Sequence, residues 1–247
     1  MIRNVSGRDE LYALLPEKDD IYSGKVRSLA DGYGFKYDFC RFWVQEDTGT
    51  LISSYYGSAV AAPGDPDADS GCDELSAFLS CGAFNRVFMP YRSSGRLGFS
   101  DITEKLCVMK RGSNVKNTDI NDKPDCETDI SLVQVYEIVR SGFDIVFDKW
   151  YTDTSHMLRH GIAKVYTLGK SACAIRSFSA AGTAYISCVC TLPSMRGKGL
   201  ASGLLGVICA EESEKGNDIF LVCGEELRPF YERAGFALDG YAAEIRI

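Results

Sequence analysis

Hydrophobic and polar positions in the second half of the chain predict both strands and helices. The runs rich in apolar, β-branched and aromatic residues are Lys164–Leu168, Ala172–Phe178, Thr183–Thr191 and Ile219–Cys223. Polar or glycine-containing turns separate these runs, as expected for strands. Residues 199–213 repeat small or apolar side chains at i, i+3, i+4 and i+7, from Ala201 to Ile208, which predicts an amphipathic helix.

Three further segments of this half favour helices, and its end favours strand. The helical segments are Ile130–Val139, Phe147–His160 and Arg228–Ala234. In the last of them, Pro229 suits the first turn and Gly235 suits the C-terminal cap. Ala237–Ile247 predicts one or two closing strands.

The first half of the chain also predicts mixed structure. Residues 9–30 are helical in pattern with a break at Pro16, and Cys72–Ser80 predicts another helix. The predicted strands are Phe39–Gln45, Thr50–Ala61, Arg86–Met89 and Leu106–Lys110. Residues 111–128 are polar and have no period, which predicts a linker between a domain at 1–128 and a domain at 129–247.

One short pattern occurs in both halves. Arg96-Leu97-Gly98-Phe99, followed by the apolar run at 106–109, resembles Arg233-Ala234-Gly235-Phe236, followed by 243–246. A common Gly-Phe turn could produce this by coincidence. The alternative interpretation is that the two halves are related structural units.

Charge, hydropathy and cysteine spacing narrow the classes of function. The net charge is −7 and no Lys/Arg cluster appears, which argues against a nucleic-acid partner. No stretch approaches the roughly 20 apolar residues that span a bilayer, and the N-terminus is polar, so we expect a cytoplasmic protein without membrane attachment. The ten cysteines are scattered with no CxxC pair, which favours reduced thiols over a metal site.

The segment from Tyr185 to Ala201 has the properties of an anion site. It predicts a strand, then a turn with Gly197 and Gly199, then the helix described above. The first N–H groups of a helix have no internal partners, and the helix dipole adds partial positive charge. Glycines let a phosphate approach the backbone, and Arg196 and Lys198 add full charges.

Three phosphate-binding patterns compete for this chain. A GxxxxGK[ST] loop fails, because the first glycine position before Gly169-Lys170-Ser171 is Lys164. A GxGxxG fingerprint is weak, because Ser202 occupies the third glycine position. The pattern [Q/R]-x-x-G-x-[G/A] is met by Arg196, Gly199 and Ala201 directly after a β-run.

With this third pattern the C-terminal half resembles the GNAT superfamily of N-acetyltransferases. A second element strengthens the resemblance: Phe230-Tyr231-Glu232-Arg233-Ala234-Gly235-Phe236 follows the apolar strand Ile219–Cys223, in the order that the family uses. The resemblance covers roughly residues 130–247. It implies an α/β (α+β) fold with a mixed, twisted, mostly antiparallel sheet flanked by helices, beside a second, smaller α/β N-terminal domain.

The resemblance also implies an acetyl-CoA site. The sheet would open between the strands Tyr185–Thr191 and Ile219–Cys223, and backbone groups of Val189, Cys190 and Thr191 would pair with the pantetheine arm. The pyrophosphate would be wrapped by Arg196, Gly197, Lys198, Gly199, Leu200 and Ala201. No metal is implied.

The implied reaction is direct attack of a neutral amine on the thioester within a ternary complex. Tyr231 matches the tyrosine that donates a proton to the departing thiolate, although it could also serve only for packing. A backbone N–H near Val189 or Cys190 could polarise the thioester carbonyl.

The general base is not evident. Glu225 and Glu226 follow a strand at the expected cleft. The alternative interpretation is that both are solvated charges of a loop. Tyr185 and Ser187 could relay a proton through water. His156 and His160 lack the intervening glutamate of HExxH, since residue 157 is Met, and read as helix-surface residues.

Two functions follow as hypotheses. The first is an N-acetyltransferase acting on a primary amine of a small molecule or a peptide. The second is a non-catalytic acyl-CoA-binding sensor or scaffold. The sequence leaves open the acceptor, the acyl chain, the role of residues 1–128 and the oligomeric state.

Overall fold

The structure is a computed structural model that describes residues 1–64, 71–82, 84–99, 103–115, 126–128 and 130–247. It divides into two compact units. Unit 1 comprises Met1–Val108, Val222–Arg228 and Leu238–Ile247, and unit 2 comprises Met109–Leu221 and Pro229–Ala237. The predicted boundary between 128 and 129 stays a prediction, and residues 116–125 of the predicted linker, like residue 129, lie outside the described residues.

The described residues form eleven strands and eight α-helices. The strands are β1 (Ile2–Val5), β2 (Cys40–Gln45), β3 (Thr50–Tyr55), β4 (Ser58–Ala62), β5 (Arg86–Pro90), β6 (Thr103–Arg111), β7 (Lys164–Leu168), β8 (Ala172–Ala180), β9 (Thr183–Thr191), β10 (Asp218–Cys223) and β11 (Ala237–Arg246). The helices are α1 (Arg8–Leu14), α2 (Ile21–Tyr33), α3 (Cys72–Cys81), α4 (Tyr91–Arg96), α5 (Leu132–Val139), α6 (Phe147–Arg159), α7 (Leu200–Glu214) and α8 (Arg228–Arg233).

Unit 1 is organised around a mixed sheet. Strands β1 to β4 pair antiparallel in sequence order, β5 joins β4 in parallel, and β11 pairs antiparallel with β5. Its core packs Ile52, Leu79, Val87, Met89 and Ile245, which are almost completely buried. Ile245 comes from the far end of the sequence, so the last strand contributes directly to this core.

The predicted single strand Thr50–Ala61 is wrong, because a hairpin divides it into β3 and β4. Tyr56 and Gly57 form the turn with φ values of 47° and 79°. Both central residues of such a two-residue turn need positive φ. Gly57 adopts this conformation without strain, whereas a tyrosine rarely does, so the Tyr-Gly pair gives a weaker turn signal than Asn-Gly.

In unit 2 the strands also pair in a mixed arrangement, and helices pack against them. Strands β7, β8 and β9 pair antiparallel, and β10 pairs with β9 in parallel. Helix α7 contacts β7, β8 and β9, and α5 contacts β8 and β9. Helix α7 buries Leu204, Leu205 and Ile208, the apolar stripe that predicted it. The expectation of a mixed, mostly antiparallel sheet flanked by helices is confirmed in both units.

A buried carboxylate stabilises the C-terminal end of α7. The Glu212 side chain is fully buried and accepts hydrogen bonds from Ser179 Oγ (2.6 Å), Asn217 Nδ2 (2.8 Å) and Lys215 Nζ (2.6 Å). Burial by itself would raise the pKa of Glu212, but these hydrogen bonds outweigh it and the pKa is lowered. The carboxylate therefore stays ionised and holds the chain where α7 leads into β10.

The pattern shared by the two halves corresponds to shared structure. In each half, a strand that pairs in parallel with its predecessor is followed by a short helix, a positive-φ glycine and a long strand. The first set is β5, α4, Gly98 and β6, and the second is β10, α8, Gly235 and β11.

Among the described residues, none of the helices combines the length and the apolar character that spanning a bilayer requires.

Candidate active site

Strand β9 is paired with β10 along only part of its length. The register joins Asp218 to Thr183, Ile219 to Ala184 and Phe220 to Tyr185. Within the described residues the ladder ends there, so the β9 edge from Ile186 to Thr191 has no β10 partner. Backbone groups on such an edge can bind an extended ligand in the manner of an added strand.

A β-bulge interrupts β9 inside this unpaired part. Cys173 pairs with Cys190 and Ile175 with Ser187, so β9 has one residue more than β8 between the two pairs. Cys188 lies within the bulge and has a φ of 51°. A non-glycine residue in this conformation carries strain of roughly 1–2 kcal/mol, and such strain often occurs at functional sites.

The turn after β9 leads directly into α7. A 3₁₀ turn at Pro193–Met195 is followed by Gly197 and Gly199, with φ values of 77° and 76°. Gly199 is the N-cap of α7 and accepts the helix's first hydrogen bond, from Gly203 N at 2.9 Å. The N–H groups in the first turn of a helix have no intrahelical partners, and here no side-chain hydrogen bond caps them either.

Space remains open above both glycines. A Cβ atom added at Gly197 or Gly199 would meet no atom within 4 Å in the described structure. Positive φ, not crowding, therefore accounts for these glycines. The buried hydroxyl oxygen of Thr191, at the end of β9, has no hydrogen-bond partner among the described residues. Together with the N–H groups of the first turn of α7, these features fit an anionic ligand.

Two exposed cations border the turn. Arg196 Nε donates to the carbonyl oxygen of Thr191 at 3.2 Å, and Lys198 Nζ lies 3.4 Å from Met195 Sδ. Neither contact is with a carboxylate, so both charges remain available to an anion. The predicted phosphate-binding residues, from Arg196 to Ala201, therefore form one continuous turn and helix start.

Tyr231 lies on α8, shortly after β10. Its side chain is buried and packs edge-on against Phe230 and Phe236, with ring centroids 5.0 and 6.1 Å away. Its carbonyl oxygen accepts hydrogen bonds from Ala234 N and Phe236 N at 3.0 and 3.1 Å. These contacts fix the backbone and the ring, as both the packing role and the proton-donor role require.

Arg111 supports this short helix, a role that the sequence pattern did not reveal. Its Nη1 donates to the carbonyl oxygen of Ala234 at 2.8 Å, and the guanidinium lies where a Cβ of Gly235 would be. Gly235 is thus required both by its φ of 84° and by the approach of Arg111. The predicted glycine cap of α8 is confirmed, but its partner comes from β6, far away in sequence.

The side chains of β9 that were considered for a proton relay are engaged with β8. Ser187 Oγ lies 2.7 Å from Ser177 Oγ, and the Tyr185 ring stacks on Phe178 at 5.7 Å. The Cys190 thiol donates to the carbonyl oxygen of Ile138, at the end of α5, at 3.2 Å. Its side chain therefore packs under α5, and only its backbone remains for a ligand.

Glu225 and Glu226 follow β10 and are exposed. The Cys107 thiol donates to Glu225 at 2.9 Å, and this hydrogen bond, aided by Arg228, lowers the pKa of Glu225. Burial, reinforced by Glu225, raises the pKa of the Cys107 thiol to about 12. The Glu226 carboxylate folds back toward Gly224. Glu225 is thus an ionised, hydrogen-bonded carboxylate rather than a strong base.

His156 and His160 lie one turn apart on or next to α6, with ring centroids 4.4 Å apart. Among the residues described by the structure, no group of three or more His, Cys, Asp or Glu side chains is arranged to hold a metal ion.

Comparisons with known proteins agree with this geometry. Residues 137–236 match the family model for the acetyltransferase (GNAT) family, a span that includes β9, the glycine turn and α8. No curated protein matches the sequence significantly.

Solved structures resemble the chain along nearly its whole length. A GCN5-related N-acetyltransferase from Kribbella flavida has a TM-score of 0.63 at 13% identity, covering 92% of this chain and 93% of that one. A GCN5-related N-acetyltransferase from Sphaerobacter thermophilus has a TM-score of 0.60 at 14% identity, covering 100% and 95%. A GNAT-family acetyltransferase from Colwellia psychrerythraea has a TM-score of 0.58 at 12% identity, covering 100% and 99%.

At these identities the structural likeness shows the fold alone. Because it extends over the first half, the N-terminal half is also GNAT-like in fold, as the repeated Gly-Phe pattern suggested. The family match over residues 137–236 concerns the half that carries the open glycine turn. Residues 137–236 therefore match the acetyltransferase (GNAT) family model, and this match supports an acyltransferase.

Proposed function

We propose that the protein transfers the acetyl group of acetyl-CoA to a primary amine of a small molecule or a peptide. The observation that carries this proposal is the turn between β9 and α7, where two positive-φ glycines leave space above an uncapped helix start. Such a site suits the pyrophosphate of a nucleotide thioester.

Three groups of residues would hold acetyl-CoA. Backbone N–H groups of Gly197, Lys198, Gly199, Leu200 and Ala201 would bind the pyrophosphate, and the side chains of Arg196 and Lys198 would add charge. Backbone groups of Val189, Cys190 and Thr191 would pair with the pantetheine arm along the unpaired edge of β9. When bound, acetyl-CoA supplies the activated acyl group as a thioester.

The chain's own groups would then serve the transfer. The bulge at Cys188 interrupts the ladder with β8 between Ser187 and Cys190. A backbone N–H group near Val189 or Cys190 would donate to the thioester carbonyl oxygen. The Tyr231 phenol would donate a proton to the departing sulfur, since a phenol is protonated at neutral pH. The acceptor amine must arrive neutral, because an ammonium has no lone pair.

The test is a rate assay with acetyl-CoA and a panel of primary amines, including amino-terminal and lysine-containing peptides. Free thiol is followed colorimetrically and the acetylated amine by mass spectrometry. We expect equimolar thiol and amide, with intersecting double-reciprocal plots that indicate a ternary complex. Binding of acetyl-CoA without an acetylated product from any amine would support the sensor or scaffold hypothesis instead.

A further inference from the structure

Three aromatic rings of unit 1 form a continuous stack at the surface. Phe39 lies between Tyr37 and Tyr56, with ring centroids 4.8 and 4.6 Å away and interplanar angles of 18° and 2°. Tyr37 is 49% exposed and Tyr56 57% exposed, so each end of the stack presents an aromatic ring to solvent. We call Tyr37, Phe39 and Tyr56 the aromatic stack.

The backbone is strained where it holds the outer ring. Tyr56 occupies the β3–β4 turn with a φ of 47°, a conformation that asparagine or glycine adopts far more readily. Its N–H donates to the carbonyl oxygen of Phe39 at 2.9 Å, which ties the turn to the centre of the stack. This strain lowers the stability of the fold while leaving the Tyr56 ring exposed to solvent. It therefore indicates that the exposed ring has a function.

A polar cleft of about 350 Å³ begins at the other end of the stack. Tyr37 forms part of its wall together with Asn4, Ser6, Lys36, Asp38 and Arg41. Its volume lies in the range typical of small-molecule sites, roughly 300–1,000 Å³. We call this set of residues the polar cleft.

Several polar side chains of the cleft have no hydrogen-bond or ion-pair partner within the described structure. In the described structure the side chains of Asn4, Ser6 and Lys36 make no hydrogen bond or ion pair, whereas Arg41 is paired with Asp38 at 2.5 Å. An amide and a hydroxyl both donate and accept, as a polyhydroxylated ligand requires. With only one unpaired cation, the cleft lacks the charge that a polyanion needs.

We propose that the aromatic stack and the polar cleft form a carbohydrate-binding site. One face of a pyranose ring carries C–H bonds with partial positive charge, which pack against the negative face of an aromatic ring. The hydroxyl groups at the rim of the sugar then pair with Asn4, Ser6 and Tyr37. This site lies in unit 1, has no shared residue with the acetyl-CoA site, and gives the N-terminal half a binding function of its own.

The test uses the full chain, fluorescently labelled, on an array of neutral and acidic oligosaccharides. The best glycan is then titrated by calorimetry against the wild type, Tyr37→Ala and Tyr56→Asn. Asparagine keeps the turn conformation while removing the ring. We expect each variant to bind about tenfold more weakly, the effect of losing one stacked ring. Tyr91→Ala, which removes an exposed tyrosine outside the site, should bind like the wild type.

The same variants distinguish a ligand site from a purely structural cluster. If the site binds sugar, Tyr56→Asn loses glycan binding while its thermal midpoint stays the same or rises. Four results would overturn the proposal: no glycan bound, glycans bound equally well by Tyr37→Ala and Tyr56→Asn, a lower midpoint for Tyr56→Asn without loss of binding, or binding only to a single-stranded oligonucleotide or peptide included on the array.

Discussion

Arg196 Nε donates a hydrogen bond of 3.2 Å to the carbonyl oxygen of Thr191, so the guanidinium is anchored where β9 ends and the glycine turn begins. The anchor holds a positive charge beside the uncapped start of α7 without neutralising it. This single contact links the strand proposed to pair with pantetheine to the turn proposed to bind phosphate.

Neutralising Arg196 or Lys198 should weaken binding of the nucleotide part specifically. Each charge-assisted hydrogen bond to a phosphate contributes about 1.5–3 kcal/mol, so Arg196→Ala should raise the KM for acetyl-CoA roughly tenfold or more. Acetyl-pantetheine lacks the nucleotide, and its KM should change little. Steady-state kinetics with both donors measures this difference. Lys170→Ala, an exposed lysine at the β7–β8 turn, is the matched control and should leave both KM values unchanged.

Replacing Gly199 should reduce acetyl-CoA affinity by more than strain alone explains. Gly199→Ala places a Cβ over the helix start at a φ of 76°. Gly161 has a φ of 70° and equally open surroundings, so Gly161→Ala incurs comparable strain of roughly 1–2 kcal/mol outside the turn. Both variants should lose similar stability in urea, but calorimetry should show weaker acetyl-CoA binding only for Gly199→Ala. Equal affinity in the two variants would contradict the proposed phosphate site.

Tyr231→Phe should slow the chemical step and leave binding intact. The ring keeps its packing against Phe230 and Phe236, and the unfolding midpoint is measured alongside to separate any loss of stability from a loss of catalysis. A lost general acid typically lowers kcat by about 10²–10⁴-fold. The KM for acetyl-CoA should remain similar. An unchanged kcat would assign Tyr231 to packing alone.

Glu212 should stabilise the fold at neutral pH and lose that effect in acid. Glu212→Gln replaces a fully buried acceptor of three hydrogen bonds and should lower the free energy of unfolding by about 2–4 kcal/mol at pH 7. Because the folded-state pKa is lowered from 4.5, the stabilisation is complete above about that pH and declines as pH falls through the lowered value. Urea unfolding at several pH values checks this, with exposed Glu214→Gln on the same helix as control.

The chain should bind one acetyl-CoA, not two, although both halves are GNAT-like. After β4, a Cβ at Gly64 would meet the carbonyl oxygen of Thr48 at 2.5 Å, and one at Gly71 would meet the Gln45 amide. These positions are packed by the chain itself, unlike Gly197 and Gly199. Calorimetric titration should therefore give a stoichiometry of one. A second site that survives Gly199→Ala would show that the N-terminal half also binds.

Periodicity and local chemistry were sufficient to predict the elements around the site. The apolar stripe of α7, the two glycines before it and Gly235 after α8 are short-range signals, and all have the predicted structural role. The β3–β4 turn was missed because Tyr56 adopts a conformation that its side chain disfavours.

Features that depend on pairing between distant strands could not be predicted. The bulge at Cys188 exists only in the register between β8 and β9, and Arg111 meets Gly235 only after folding. Likewise, nothing in the sequence of β11 indicates that it pairs with β5. The polar side chains of the cleft that have no partner in the described structure also come from separate segments of the sequence.

The central claim is tested most directly by a crystal structure of the chain with CoA. We predict that the pyrophosphate oxygens lie within hydrogen-bond distance of backbone N–H groups between Gly197 and Ala201, with the pantetheine arm along β9 from Val189 to Thr191. CoA bound elsewhere, with the glycine turn free of phosphate, would contradict the account.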